Sequence, residues 1–122
     1  MVDFGMPNVL IGTSGFFYDD WKGKFYPQDF ERKDYLNFYS LQFKALELNF
    51  SYYRIPEAHQ SRQMIARSGG KVEFAVKAHR RMTHETGRNS LQEILPLFIE
   101  GISPFLEAVS YTHLTLPTNR EV

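Results

Sequence analysis

Hydrophobic and polar positions along the chain fall into short strand-like blocks separated by helical spacings. Val9–Gly12 is a brief apolar run between Pro7-Asn8 and Gly15, which predicts a buried strand. Polar residues from Asp29 to Lys33 then offer the start of a helix. Tyr35, Leu36, Phe38, Tyr39, Leu41, Gln42 and Phe43 give that helix a broad apolar face. Ala45–Asn49 alternates as a second strand, with Leu46 and Leu48 on one side and Ala45, Glu47 and Asn49 on the other. Glu57–Ser68 reads as a helix stopped by Gly69-Gly70. Val72–Val76 is a third strand running into Lys77. Ser90–Glu100 is a helix closed by Gly101, with Asn89 or Ser90 as its cap and Glu93 three residues beyond Ser90. Residues 16–30, 50–56 and 79–88 are expected to be connections.

The order is strand then helix, three times, with strand starts near 9, 45 and 72. Consecutive βα units with right-handed crossovers build a parallel sheet, so the class is α/β. The first connection, Gly12-Thr13-Ser14-Gly15, matches neither a GxGxxG dinucleotide turn nor a Walker loop. Polar and aromatic residues cluster just after every strand, where a TIM barrel carries its site. A complete eight-unit barrel takes about 250 residues. The expectation for these 122 residues is therefore the first three βα units of a truncated TIM (β/α)8 barrel.

Composition narrows the classes. The 14 basic and 14 acidic side chains cancel, which gives no support to a polyanion-coating protein or a charged tail. Cysteine is absent, so disulfides, thiol nucleophiles and thiolate metal sites are excluded. No run of about 18 apolar residues suggests a membrane span. Residues 1–7 do not read as a signal peptide, and a cytoplasmic protein is expected.

The sequence changes character near its end. Residues 109–118, Val-Ser-Tyr-Thr-His-Leu-Thr-Leu-Pro-Thr, agree over ten consecutive codons with the translation of a transposase sequencing adapter. Residues 1–108 are accordingly expected to be the N-terminal fragment of a barrel domain, and 109–122 a non-native tail. His113 is dropped from the candidate ligands. Three units alone leave an open parallel sheet, for which poor solubility or a molten state is expected.

Three separated blocks carry a family resemblance spanning roughly Val9 to Phe105. The first is Gly12-Thr13-Ser14-Gly15-Phe16 with Trp21, Gly23 and Phe25-Tyr26-Pro27. The second is Glu47-Leu48-Asn49 with Phe50, Tyr52-Tyr53-Arg54 and Pro56. The third is Phe74-Ala75-Val76-Lys77-Ala78 with Arg81, Thr83 and His84. Together they resemble the YecE-like family, a domain of unknown function with a TIM-barrel fold. Phe16 departs modestly, standing where the family often has tryptophan or another aromatic. The resemblance implies a barrel with its pocket at the strand ends, similar to the pockets of nucleic-acid-processing barrels. It implies no particular reaction.

The chemistry-bearing residues collect beside the three strands. Glu47 and Asn49 point to the barrel interior if the leucines face the helices. A buried carboxylate there is a candidate acid/base group or a partner for Lys77. Lys77 is placed to neutralise an anion, and His84, with His79 in the same connection, to move protons near neutral pH. Glu47, His84 and Lys77 are the catalytic candidates. Trp21, Tyr26, Asn49, Tyr53, Arg54 and Arg81 are the substrate-binding candidates, the aromatics as stacking surfaces or alternatively as a hydrophobic plug. Arg80 adds local positive charge. His59 is expected on an exposed helix face. The spacing of Glu47 and His84 matches no recognised metal cluster, so no metal is assigned, and no cofactor is indicated. Three functions are compatible: an enzyme acting by acid/base chemistry on a small polar or phosphorylated substrate, a nucleotide- or nucleic-acid-binding barrel, or a noncatalytic partner-binding protein. No membrane partner is expected, and the pattern does not set an oligomeric state.

Overall fold

The computed structural model describes residues 9–83, 88–108 and 112–115. Four strands pair in parallel in their sequence order: β1 (Gly12–Ser14), β2 (Ala45–Leu48), β3 (Glu73–Lys77) and β4 (Thr112–Thr115). Helix α1 (Tyr35–Gln42) lies between the first two strands in sequence. Helices α2 (Phe50–Tyr53) and α3 (Ala58–Arg67) follow β2, and α4 (Arg80–Thr83) and α5 (Arg88–Glu107) follow β3. This is the α/β class expected from the alternation. No helix among the described residues is long and apolar enough to cross a membrane.

Period-two alternation decides the two faces of the sheet. Leu46, Leu48, Phe74 and Val76 are buried and pack with Leu36 and Tyr39 of α1 and Phe98, Ile102 and Phe105 of α5. The opposite face carries Ser14, Glu47 and Ala75 in one register row. Gly12 is needed for the first pairing, because a Cβ there would lie 1.9 Å from the Ala45 carbonyl oxygen. The hydroxyl of Tyr39 bridges the two strands. It accepts from the Thr13 amide at 2.8 Å and donates to the Ala45 carbonyl at 2.7 Å.

Local signals set most boundaries. Glu31 and Asp34 form a reciprocal capping box at a 3-10 turn leading into α1. Gly69 and Gly70 both adopt positive φ, 65° and 70°, and end α3 as the sequence indicates.

Other elements differ from expectation. The first strand begins at Gly12 rather than Val9, and Val9 and Ile11 are 76% and 69% exposed. Apolar character there does not produce burial because no described strand pairs on the outer edge of β1. The connection at 50–56 contains α2, and that at 79–88 contains α4. Gly101 lies inside α5 instead of ending it. It is a contact residue: a Cβ would meet the Pro56 carbonyl oxygen at 1.8 Å, and the buried Ser61 hydroxyl donates to the Gly101 carbonyl at 2.6 Å. The fourth strand falls within the segment read as adapter-derived. Its β-branched threonines favour a strand whatever its origin.

Candidate functional site

Strands β1, β2 and β3 deliver polar residues to one rim, at their C-terminal ends. Ser14 pairs in register with Glu47, which pairs with Ala75. The Ser14 hydroxyl donates to Glu47 Oε1 at 2.8 Å and accepts from Asn49 Nδ2 at 2.6 Å. An amide, a hydroxyl and a carboxylate thus form one directed chain, in which the anionic end orients the others. The Asn49 Oδ1 atom is buried and accepts no hydrogen bond among the described residues. The Gly15 amide donates to the Glu47 carbonyl at 2.7 Å, and the Tyr18 hydroxyl donates to the Ser14 carbonyl at 2.9 Å. The loop after β1 is thereby tied to β2.

Lys77 ends β3 and is 7% exposed. Its Nζ lies 5.8 Å from the centroid of the Tyr52 ring, in cation–π geometry. The Ser51 hydroxyl donates to the Lys77 carbonyl at 2.5 Å, which fastens α2 against the end of β3. Ser14, Tyr18, Asn49, Tyr52, Tyr53, Lys77 and Arg80 line a cleft of about 660 Å³. It holds two cationic groups, three phenol rings, an amide and a hydroxyl. Such a lining suits an anionic ligand with a flat or polyhydroxylated body.

The expected site residues divide between this cleft and other places. Asn49, Tyr53 and Lys77 line it, and Glu47 reaches it through Ser14. His84 lies outside the described residues. Tyr26 belongs to the core instead: it is 1% exposed, and its ring stacks on Tyr35 at 4.1 Å. Its hydroxyl donates to the Phe16 carbonyl at 2.6 Å, and burial raises its pKa well above the usual tyrosine value. Trp21 is half-buried among Tyr18, Phe25 and Tyr26, and packs against the core. The hydrophobic-plug alternative describes both residues.

Arg54 faces a different cleft, with its guanidinium over Phe50. Arg81 is turned toward α5, where it donates to Ser90 Oγ at 2.8 Å and pairs with Glu93 at 3.1 Å. His79 is buried, and its Nδ1 accepts from the Arg81 amide at 3.1 Å at the start of α4. His59 is exposed on α3. Among the described residues no three His, Cys, Asp or Glu side chains are grouped to hold a metal.

Ser14 was not singled out by its sequence surroundings, because a serine between small residues carries no chemical signature. The register of β1 against β2 is the signal that reveals it. Next to the aromatic loop, Asp19 accepts hydrogen bonds from Arg32 at 2.6 Å and from the Tyr35 hydroxyl at 2.9 Å. The Arg32 bond first, and then the Tyr35 bond, hold the Asp19 carboxyl below its ordinary pKa.

Comparison with known proteins agrees with this architecture. The family described as "Protein of unknown function DUF72" matches residues 10–122. The crystal structure of a DUF72 family protein from Thermotoga maritima superposes with a TM-score of 0.67 at 32% identity, over 87% of this chain. The matched part is 41% of that protein, so this chain spans about two fifths of its length. No curated protein matches.

Proposed function

The chain belongs to the DUF72 family of proteins of unknown function, and from that premise we propose that its strand-end cleft binds a small phosphorylated or otherwise anionic substrate for acid/base chemistry. One observation carries the reading: Lys77 and Arg80 share a cleft with Ser14, Asn49 and three tyrosines at the strand ends. Lys77 and Arg80 would neutralise the anion, and Asn49 and Ser14 would bond its hydroxyl groups. Glu47, aligned through Ser14, would exchange the proton, with His84 as its counterpart from the connection after β3. Tyr52 and Tyr53 would cover the body of the ligand.

A nucleotide is the second reading. It rests on Tyr53, which is 66% exposed beside the basic groups and presents a ring on which a base could stack. Calorimetric titration of the chain with ribose 5-phosphate and with AMP separates the two. Binding of both, weakened about tenfold by Lys77→Met, supports an anion site. AMP binding that also requires Tyr53 favours the nucleotide. Failure of both probes to bind contradicts the proposal.

The larger frame is a (β/α)8 barrel of the YecE-like type, to which these units would contribute the beginning. The extent of the Thermotoga maritima protein beyond the matched region supports that frame. Residues 109–122 would be adapter-derived within it. Resequencing the gene from uninterrupted genomic DNA tests this, since a native coding sequence that retains residues 109–118 would exclude the adapter origin.

A further inference from the structure

A second cleft, of about 330 Å³, lies between the start of α1, the Phe16-Phe17 loop and α3. It shares no lining residue with the strand-end cleft. Its apolar lining includes Phe17, Leu36, Phe50 and Met64, and its charged lining is basic throughout. Two of those cations are already balanced: Arg32 pairs with Asp19 at 2.6 Å and Lys33 with Glu31 at 3.4 Å. Arg54 and Arg67 pair with no carboxylate among the described residues. The Arg54 guanidinium instead lies over the Phe50 ring, 5.5 Å from its centroid.

The sequence builds this opening. Gln60, Gln63, Met64 and Arg67 recur at the spacing of one helix face and line the cleft. A face turned toward a neighbouring helix usually carries aliphatic residues that close the gap. Two glutamines and an arginine here leave it open and polar at the edge. The Ser61 side of α3 makes the contact with α5 instead.

We propose that this cleft is a separate binding site for a small organic anion with an aromatic body, such as an aryl phosphate. The body lies against Phe17, Phe50 and Met64, and the anionic head is met by Arg54 and Arg67. The cleft volume suits a single ring with its head group rather than a polymer. Uncompensated arginines beside an apolar floor favour an anion over a neutral or cationic ligand.

Phenyl phosphate is the probe, titrated calorimetrically into the full chain carrying Lys77→Met, which weakens the strand-end cleft about tenfold. The expected result is binding at least about tenfold tighter than that of inorganic phosphate or phenol. Adding Arg54→Gln and Arg67→Gln should weaken it by about tenfold or more, with the far-UV spectrum unchanged. Gln63→Glu, which adds a carboxylate to the exposed rim, should weaken it as well. Absence of binding, inorganic phosphate binding as tightly as phenyl phosphate, or affinity that survives these substitutions would overturn the assignment. Arg54 and Arg67 line this cleft and not the strand-end one, so loss of binding on substituting them reports this site and leaves the strand-end proposal untouched.

Discussion

Replacing Gly101 by alanine places a methyl carbon 1.8 Å from the Pro56 carbonyl oxygen and 2.6 Å from its carbon. Carbon–oxygen contacts settle near 3.3 Å, so α5 and the Pro56 segment must separate by about 1.5 Å. The first interaction to suffer is the 2.6 Å bond from the Ser61 hydroxyl to the Gly101 carbonyl. Ser61 is fully buried, so its hydroxyl would be left without water or partner. That costs about 1–3 kcal/mol. Overpacking adds about 1–3 kcal/mol, while the better helix propensity of alanine returns about 1 kcal/mol. The net expectation is destabilisation by about 3 kcal/mol. With a urea dependence of about 2 kcal/mol/M, the midpoint falls by about 1.5 M. The assay is urea unfolding followed by far-UV circular dichroism at one fixed low concentration, with Ser61→Ala alongside. Ser61→Ala removes the same bond without the methyl clash and should cost less. A Gly101→Ala midpoint equal to or above wild type would refute the close approach of α5 to Pro56 and show Gly101 to be an ordinary helical glycine.

Two further expectations concern the aromatic core and the sheet edge. Tyr26 has a folded-state pKa raised above its ordinary value by burial, so its contribution to stability is complete below about pH 10 and is lost as pH rises. Tyr26→Phe should cost about 1 kcal/mol at neutral pH through the lost bond to the Phe16 carbonyl, yet decline less steeply in alkali; equal alkaline slopes for the two proteins in stability measurements from pH 7 to 11 would count against it. Ile11 is 69% exposed next to the edge of β1 that no strand among the described residues pairs, so Ile11→Lys should reduce concentration-dependent self-association in sedimentation velocity. An unchanged sedimentation distribution would show that this edge does not drive association.

Strand alternation was the most legible part of the chain. Leu46-Glu47-Leu48 displays its two faces directly, and the structure buries both leucines while Glu47 faces the other way. Short helices were not legible. Phe50–Tyr53 and Arg80–Thr83 each make a single turn, too brief for helical periodicity to register. Gly101 was misread because glycine signals a helix end in sequence, whereas a close contact between elements demands glycine equally well. In the site, Lys77 and Asn49 are legible because Lys77 ends β3 and Asn49 directly follows β2. Tyr26 could not be separated from its aromatic neighbours, since an aromatic loop reads alike whether it stacks on a ligand or fills a core. Arg81 looked like a ligand-binding cation, but the partners that turn it away, Ser90 and Glu93, belong to the following helix. Such pairings depend on tertiary geometry that no local pattern encodes.

Backbone amide chemical-shift mapping during titration with ribose 5-phosphate tests most directly the proposed anion binding at the ends of β1, β2 and β3. Saturable shifts concentrated at Ser14, Asn49, Tyr52, Lys77 and Arg80 are expected, and their loss in Lys77→Met. Saturable shifts confined to the α1–α3 cleft around Phe17 and Arg67, or no saturable shifts at all, would contradict it.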